Sequence, residues 1–289
     1  MIVTVTLNAA LAVSYEATTL TLSEPSKLRE PGELTRATYR ASGRGVTVAR
    51  VLQPFGHDVL ATGLAGGTAG ELIAADLARD GVETDFTRIG RESRRIFDIA
   101  ERGTGRVLRL REAGPYVTTE ELGRFASDYR RLLDGATAVV MSGSLPPGLP
   151  SDIYGSLVSY AAEAGVPVVV DADGEEVAHG ARRGPDLVIT GAETPLGPGA
   201  SAVARVGDGV LRVVTREGEW TAELGGTGEN GRGALVAGLV AGLLLGWPLP
   251  DRVRHAMALA ASTGDFGDVD LARYEELISG DLIEVDQSL

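Results

Sequence analysis

Two glycine-rich turns, each followed by an apolar helical pattern, are the segments of this sequence that could hold an anion. The first runs from Ser42 to Gly45 and includes Arg44, and the second runs from Gly225 to Gly233. A helix N-terminus carries free backbone N–H donors and the positive end of the helix dipole, so such a turn can bind a phosphate. A tight turn before a helix would also account for Gly43 and Gly45, and both interpretations can hold at once.

Short strands that alternate with apolar helices are needed to position these turns. Strands are predicted at Ile2–Leu7, His57–Gly63, Ala138–Met141, Val166–Val170, Leu187–Ile189 and Val210–Val214, and helices at Gly45–Phe55, Gly70–Asp80 and Asp152–Glu163. This alternation predicts an α/β fold with a mostly parallel sheet covered by helices on both faces.

Two segments depart from this rhythm and predict a small β-sheet lid. Residues Tyr15–Tyr39 alternate between polar and apolar side chains, and Arg94–Leu110 has a hairpin pattern with Gly103 and Gly105 at the turn. We therefore expect one domain over residues 1–289, with a lid contributed by about residues 13–40 and 92–112.

Composition limits the classes of partner. The 289 residues carry a formal net charge of -13, which argues against a nucleic-acid partner and requires a local basic pocket for any anionic substrate. The sequence has no cysteine, so it can form neither a disulfide nor a thiolate metal site, and it suggests no metal-ligating residues. The apolar run Ala234–Trp247 is too short to span a bilayer and no secretory signal is visible, so a cytoplasmic protein without membrane contact is expected.

Four segments, taken in order, resemble the PfkB (ribokinase-like) carbohydrate kinases, in particular the 1-phosphofructokinase and tagatose-6-phosphate kinase branch. They are Thr4–Glu16, Ser42–Gly67, Ser142–Pro150 and Gly233–Leu243, and together they extend over nearly the whole chain. The resemblance implies a ribokinase-like three-layer α/β/α fold with the sugar under the lid, at the C-terminal ends of the main strands. It also implies ATP and Mg²⁺ in a neighbouring groove and an aspartate base at the start of the last motif's helix.

On the substrate side, the resemblance assigns contacts to residues of the first three motifs and of the lid hairpin. These are Asn8, Gly43, Arg44, Arg94 and Ser144, with Arg44 and Arg94 on the phosphate of a sugar phosphate such as fructose 1-phosphate. A solvated lid charge at Arg94 and a proline-directed turn at Ser144 are the plainer alternatives. These motifs also differ from the family pattern: Ala12 replaces an aspartate that holds sugar hydroxyls, Arg44 replaces a lysine, and Ser42 and Thr47 replace a glycine and an asparagine.

On the nucleotide side, the family sequence Lys-Pro-Asn-x-x-Glu is not kept. Gly191 stands at the asparagine position, and Glu193 is one place from the glutamate position. A helix expected before the Val210 strand is missing from the sequence. Gly207 and Gly209 either retain a turn that approaches the nucleotide or form a plain hairpin turn.

The family's Gly-Ala-Gly-Asp motif can be aligned in two ways. Anchored on the helix, the anion hole falls on Asn230, Gly231 and Arg232, and the base position is Gly233, which can do no acid–base chemistry. In the second alignment Gly228 belongs to the anion hole and Glu229 is the base, which requires about one helical turn of extra residues before the helix. The helix-anchored alignment is preferred.

Three hypotheses follow. The first is a degenerate kinase homologue with little or no activity and a binding or regulatory role. The second is a working ATP-dependent phosphotransferase on a phosphorylated sugar, with Glu229 as base. The third is a structural partner in a homodimer formed through the lid.

Overall fold

The computed structural model describes residues 1–18, 20, 33–191, 199–207, 209–223, 231–280 and 282–288. Of the residues assigned to the site from sequence, Glu193, Gly228, Glu229 and Asn230 lie outside these ranges. The described strands are β1 (Ile2–Thr6), β2 (Ala10–Ala17), β3 (Leu34–Ser42), β4 (Val59–Gly66), β5 (Glu83–Ile89), β6 (Arg94–Glu101), β7 (Val107–Arg111), β8 (Ala138–Ser142), β9 (Val168–Asp171), β10 (Leu187–Thr190), β11 (Ala202–Gly207), β12 (Val210–Thr215), β13 (Glu219–Glu223) and β14 (Val285–Ser288). The described helices are α1 (Arg44–Leu52), α2 (Gly67–Arg79), α3 (Thr119–Leu133), α4 (Ile153–Glu163), α5 (Gly174–Ala181), α6 (Gly231–Leu244), α7 (Leu249–Ser262) and α8 (Leu271–Ser279).

Ten of the described strands form one sheet in the order β14-β13-β12-β11-β10-β9-β8-β1-β4-β5. The six pairings from β11 to β5 are parallel. The three pairings from β14 to β11 are antiparallel and extend one edge of the sheet. The predicted α/β architecture with a mostly parallel sheet is therefore confirmed.

Helices cover both faces of this sheet because its central strands are apolar on both sides. Along β1, Ile2 belongs to one core cluster, while Val3 and Val5 belong to the other. Helices α1, α2, α6, α7 and α8 pack into the first cluster, and α3, α4 and α5 pack into the second. None of the helices in the described ranges is long and apolar enough to cross a membrane.

The strand order reverses between β1 and β8. From β1 the chain continues outward to β4 and β5, and from β8 it continues in the other direction to β9 and β10. In open parallel sheets a ligand crevice forms at such a switch point, outside the carboxyl ends of the strands. Thr6 and Ser142, the last residues of β1 and β8, mark this point.

A second, four-stranded sheet, which we call the lid, has the order β3-β2-β6-β7. Strand β2 pairs with β3 in antiparallel and with β6 in parallel fashion. The predicted hairpin at Arg94–Leu110 is confirmed, because β6 and β7 pair antiparallel and Gly103 and Gly105 have φ angles of 81° and 71° between them.

The described part of the stretch between the Leu187 and Val210 strands, where the family's helix is missing, forms a strand that the sequence analysis did not predict. Residues Ala202–Gly207 form β11, which pairs in parallel with β10 and antiparallel with β12. Val203 and Ala204 are buried in it, so a short run of small and β-branched residues is enough once two neighbouring strands supply hydrogen bonds.

Candidate functional site

A cavity of about 480 Å³ lies at the switch point, between the lid and the carboxyl ends of β1 and β8. Its wall is mainly polar and includes residues from both sheets, from the start of α1 and from the loop after α7. The polar and charged residues that line it are Thr6, Asn8, Ser42, Arg44, Thr47, Arg94, Asp98, Arg109, Arg111, Ser144 and Asp265. A polar wall of this kind fits a hydrophilic, anionic ligand.

Close packing of α1 on β1 fixes Arg44 at the cavity wall. A Cβ atom at Gly45 would lie 2.3 Å from Thr6 Oγ1 and 3.0 Å from the Val5 carbonyl oxygen, so only glycine allows this approach. Gly43 has a φ of 135°, which side-chain-bearing residues rarely adopt, and no side chain caps the first turn of α1. The two glycines therefore have a structural cause, and the same turn presents uncapped helix N–H groups beside Arg44.

Arg94, the first residue of β6, connects the lid to the loop after β1. Its Nε donates a hydrogen bond to the Asn8 carbonyl oxygen at 3.2 Å, and Asn8 Nδ2 donates to Ser144 Oγ at 3.2 Å. Burial and the positive charge of Arg111 lower the pKa of Arg94. An anion bound beside these guanidiniums would favour their charged forms and so oppose both effects.

A third lid arginine that lines the cavity, Arg109, forms a pair with Asp98 across the hairpin. Its Nε lies 2.5 Å from Asp98 Oδ1, and its Nη2 lies 3.2 Å from Asp98 Oδ2. Both residues line the cavity. The Asp98 carboxylate is thus already neutralised by the Arg109 guanidinium.

A four-residue ion-pair cluster occupies the space between α1, α6 and the carboxyl end of β9. Arg232 Nε donates to Asp171 Oδ1 at 2.7 Å, and its Nη1 lies 3.0 Å from both Asp173 oxygens. Arg44 Nη1 reaches the same two carboxylates at 3.3 and 3.2 Å. Asp171 is fully buried and also accepts a hydrogen bond from Ser142 Oγ.

Asp173 is held in its ionised form. Burial acts to raise its pKa, but the Gly191 N–H and the guanidiniums of Arg232 and Arg44 outweigh burial and lower the pKa below its usual value. The Gly191 N–H donates to Asp173 Oδ1 at 2.8 Å, so Gly191, at the end of β10, is part of the same cluster.

Gly233, in the first turn of α6, is packed too tightly to carry a side chain. A Cβ atom there would lie 2.7 Å from Thr47 Cγ2, 2.8 Å from Thr47 Cβ and 3.3 Å from the Arg44 carbonyl oxygen. Gly231 is the first residue of α6, so Gly231, Arg232 and Gly233 together form its first turn. This turn presents a guanidinium at Arg232 and has no room for a carboxylate at Gly233.

Among the described residues near this turn, two carboxylates are not free to bind Mg²⁺. The ion prefers oxygen ligands, and the two carboxylates at the end of β9, Asp171 and Asp173, are both paired with guanidiniums. Within the described ranges, no group of three histidine, aspartate or glutamate side chains could hold a metal ion.

Gly207 and Gly209 lie at the turn of the β11–β12 hairpin, where Gly207 pairs with Val210 and Gly209 has a φ of 79°. Neither residue lines the cavity. The structure thus brings Asn8, Gly43, Arg44, Arg94 and Ser144 together, and places Gly207 and Gly209 elsewhere.

Sequence reasoning missed several residues of the site: Asp98, Arg109, Arg111, Asp171, Asp173 and Asp265. Alternation in the run from Val107 to Arg111 places Arg109 and Arg111 on one face of a strand and could have indicated the lid pair. The carboxylates after the Val168 strand stand at a strand end, where parallel sheets collect functional side chains.

Comparisons with known proteins identify the family and the fold. A family model described as pfkB family carbohydrate kinase matches residues 9–193, well over half of the chain. A possible 1-phosphofructokinase from Thermotoga maritima is 22% identical with a TM-score of 0.84, covering 100% of this chain and 99% of that one. Phosphofructokinase-2 from Escherichia coli in complex with fructose-6-phosphate is 20% identical with a TM-score of 0.82, covering 96% and 98%. Its tetrameric inhibited form is 22% identical with a TM-score of 0.82, covering 96% and 99%. At these identities the structural likeness shows a shared ribokinase-like fold.

Proposed function

The chain belongs to the pfkB family of carbohydrate kinases, and we propose that it binds a phosphorylated sugar, such as fructose 1-phosphate, under its lid with little or no transfer of phosphate from ATP. Its role would then be binding or regulation. The single observation that carries this proposal is the first turn of α6, where Gly233 lines the cavity without a carboxylate and the neighbouring Arg232 is paired with Asp171 and Asp173.

The cavity supports the binding half of the proposal. Arg94 and Arg111 face it from the lid, and Arg44 faces it from the start of α1. Asn8 also lines the cavity, and within the described ranges its buried Oδ1 has no hydrogen-bond partner, so it remains an unused acceptor beside the cavity. The volume of about 480 Å³ is within the range of small-molecule sites.

The first turn of α6 supports the proposed lack of phosphate transfer from ATP. A general base commonly contributes about 10²- to 10⁴-fold to a rate, and Gly233 cannot supply one. The Arg232 guanidinium lies between the α6 N-terminus and the carboxyl ends of β9 and β10, bonded to Asp171 and Asp173. A nucleotide phosphate with its Mg²⁺ would have to displace that guanidinium from two carboxylates.

The alternative function is an active ATP-dependent phosphotransferase on a phosphorylated sugar, with Glu229 as base. Membership in the kinase family favours it. Glu229 lies outside the described residues, so its support comes from the sequence alignment alone.

An ADP-release assay distinguishes the two functions. Purified protein is incubated with ATP, Mg²⁺ and either fructose 1-phosphate or fructose 6-phosphate, beside Glu229→Gln and Arg94→Ala variants. We expect no sugar-dependent ADP release from any of the proteins. Release that depends on the sugar phosphate and is lost in Glu229→Gln would establish the alternative and refute the proposed loss of transfer.

We also propose that two copies of the chain pair through their lids. Large apolar side chains are exposed on both outer strands of the lid, with Leu34 and Tyr39 on β3 and Val107 and Leu110 on β7. An exposed edge strand with such residues is a ready surface for pairing. The tetrameric form of Escherichia coli phosphofructokinase-2 shows that a protein of this fold can assemble.

A further inference from the structure

The loop Gly264–Asp268, between α7 and α8, forms part of the cavity wall and has a conformation that its surroundings must enforce. Its ends are closed by a bridge between Thr263 and Val269, and the Gly264 N–H donates to the Asp268 carbonyl oxygen at 2.9 Å. Phe266 has a φ of 65°, the only positive value for a non-glycine residue within the described ranges. Such strain persists where neighbouring groups determine the backbone, and it often marks functional loops.

Two arginines hold this loop in place. The buried guanidinium of Arg50 donates to the Phe266 carbonyl oxygen and is itself bound by Asp76 and Asp80. Arg40 of the lid strand β3 donates to Asp268 Oδ1 at 2.9 Å, and its guanidinium lies 6.0 Å from the centre of the Phe266 ring. The loop is therefore fixed both to α1 and to the lid.

The fixed loop places Asp265 at the cavity wall beside the start of α6. Gly267 and Gly233 pack against the same methyl group, Thr47 Cγ2, where added Cβ atoms would lie 3.2 and 2.7 Å away. Asp265 and Gly233 both line the cavity. Among the described residues, Asp265 makes no hydrogen bond or ion pair, whereas Asp98, the other carboxylate of the wall, is paired with Arg109.

The cavity thus has charges of opposite sign in different parts of its wall. Arg94 and Arg111 attract an anion to the lid, while the Asp265 carboxylate repels an anion and accepts hydrogen bonds from hydroxyl groups. Ala12 and Gly233 line the same cavity and can accept no such bond through a side chain.

From this placement we infer that Asp265 is a ligand-binding residue, whose carboxylate accepts a hydrogen bond from a hydroxyl of the sugar phosphate while the phosphate is held by Arg94. The inference rests on the proposed binding of a sugar phosphate and adds the orientation of the ligand and the residue that distinguishes a sugar phosphate from a bare phosphate. It requires no phosphoryl transfer.

Calorimetric titrations of wild type, Asp265→Ala and Asp265→Asn with fructose 1-phosphate and, separately, with inorganic phosphate test this inference. Loss of a hydrogen bond to a charged group should weaken fructose 1-phosphate binding to Asp265→Ala by about tenfold or more. Asp265→Asn keeps an oxygen acceptor and should lose less. Binding of inorganic phosphate should not weaken in either variant, since no bond to the anion is removed.

Glu217→Gln is the matched control, because it removes an equally exposed negative charge from the loop between β12 and β13, outside the cavity. It should leave both affinities unchanged. An unchanged fructose 1-phosphate affinity in Asp265→Ala would overturn the inference, and so would an equal loss for the sugar phosphate and for inorganic phosphate. If either of these results were found but Arg94→Ala abolished binding of fructose 1-phosphate, the proposed function would stand without the inference. A wild-type protein that binds no sugar phosphate would overturn both the inference and the proposed function.

Discussion

At the scale of single residues, the site is decided by which side chains the first turn of α6 can carry. Gly233 is in contact with Thr47 and the Arg44 backbone, and Arg232 reaches across to two carboxylates at the end of β9. Packing leaves no room for a carboxylate at Gly233, and ion pairs hold the Arg232 guanidinium at Asp171 and Asp173. Both effects can be measured separately as changes in stability.

Gly233→Ala should destabilise the protein by about 1–3 kcal/mol, because the added methyl group overpacks the contact with Thr47. Gly123→Ala is the matched control, since Gly123 lies inside α3 with no atom near its Cβ position. That change should stabilise the protein by about 1 kcal/mol through helix propensity. Urea unfolding measures both variants, and equal free energies of unfolding for the two would contradict the packing argument.

Arg232→Ala should cost about 3 kcal/mol of stability, because it leaves the fully buried Asp171 with only part of its cationic neighbourhood. Asp171→Asn in the same chain should recover part of the loss, because the uncompensated charge is removed with its partner. A double-mutant cycle from chemical denaturation measures this coupling. Additive effects in the cycle would show that the pair contributes nothing specific.

Part of the cavity wall could be predicted from sequence, because its residues stand in compact motifs. The sequence motifs contain Asn8, Arg44, Arg94 and Ser144, and all four line one cavity. The cluster around Arg232 could not be predicted, because its partners Asp171 and Asp173 lie 61 and 59 residues away along the chain. Only the folded sheet brings the start of α6 to the end of β9.

At the scale of elements, packing between α7 and α8 gives a measurable pH dependence. His255 of α7 is 5% exposed, and its Nδ1 lies 2.7 Å from the Tyr274 hydroxyl of α8. Burial, with a smaller contribution from the charge of His57, lowers the pKa of His255 from 6.5 to about 4. The folded protein therefore holds His255 neutral at a pH where the unfolded chain protonates it.

The stability contributed by neutral His255 should be present above pH 6.5 and lost as the pH falls toward 4. The free energy of unfolding should fall by roughly 3 kcal/mol once His255 is fully protonated in both states. Urea unfolding of wild type and His255→Gln at a series of pH values measures it. His255→Gln should show a smaller fall than wild type, whereas the control His179→Gln, at a partly exposed position of α5, should follow wild type. Parallel curves for wild type and His255→Gln would contradict the assignment.

Elements with strong local signals were predictable, and those that depend on neighbours were not. The hairpin of β6 and β7 follows from its two turn glycines, whereas β11 forms because β10 and β12 pair with it on both sides. Helix α3 was missed although its capping box, Thr118 with Glu121, is readable as a Thr-x-x-Glu pattern. The many charged residues of α3 hide this pattern in the sequence, because they leave the helix with only one narrow apolar face.

At the scale of the whole molecule, two sheets enclose a cationic cavity in a protein whose net charge is -13. The switch point between β1 and β8 determines where the cavity lies, and the lid determines which charges face it. The fold therefore sets the position of the cavity, whereas the residues of the first α6 turn decide which groups stand at that part of its wall. That separation is why family membership and catalytic activity are distinct questions here.

Lid pairing predicts a particle of twice the mass of the 289-residue chain. Light scattering coupled to size-exclusion chromatography measures the mass. Leu110→Glu, on the outer strand β7, should shift it to that of one chain, since a charge would be buried in the pairing surface. The control Leu282→Glu changes an equally exposed leucine outside the lid and should leave the mass unchanged. A monomeric wild type would refute pairing through the lid.

The most direct test of the central claim is a pair of calorimetric titrations of the wild-type protein, one with fructose 1-phosphate and one with ATP and Mg²⁺. The proposed function predicts that the protein binds the sugar phosphate and gives no heat with the nucleotide, because the Arg232 guanidinium stays paired with Asp171 and Asp173. Tight binding of ATP with Mg²⁺ would contradict that account, because it would mean that the Arg232 guanidinium does not keep the nucleotide out.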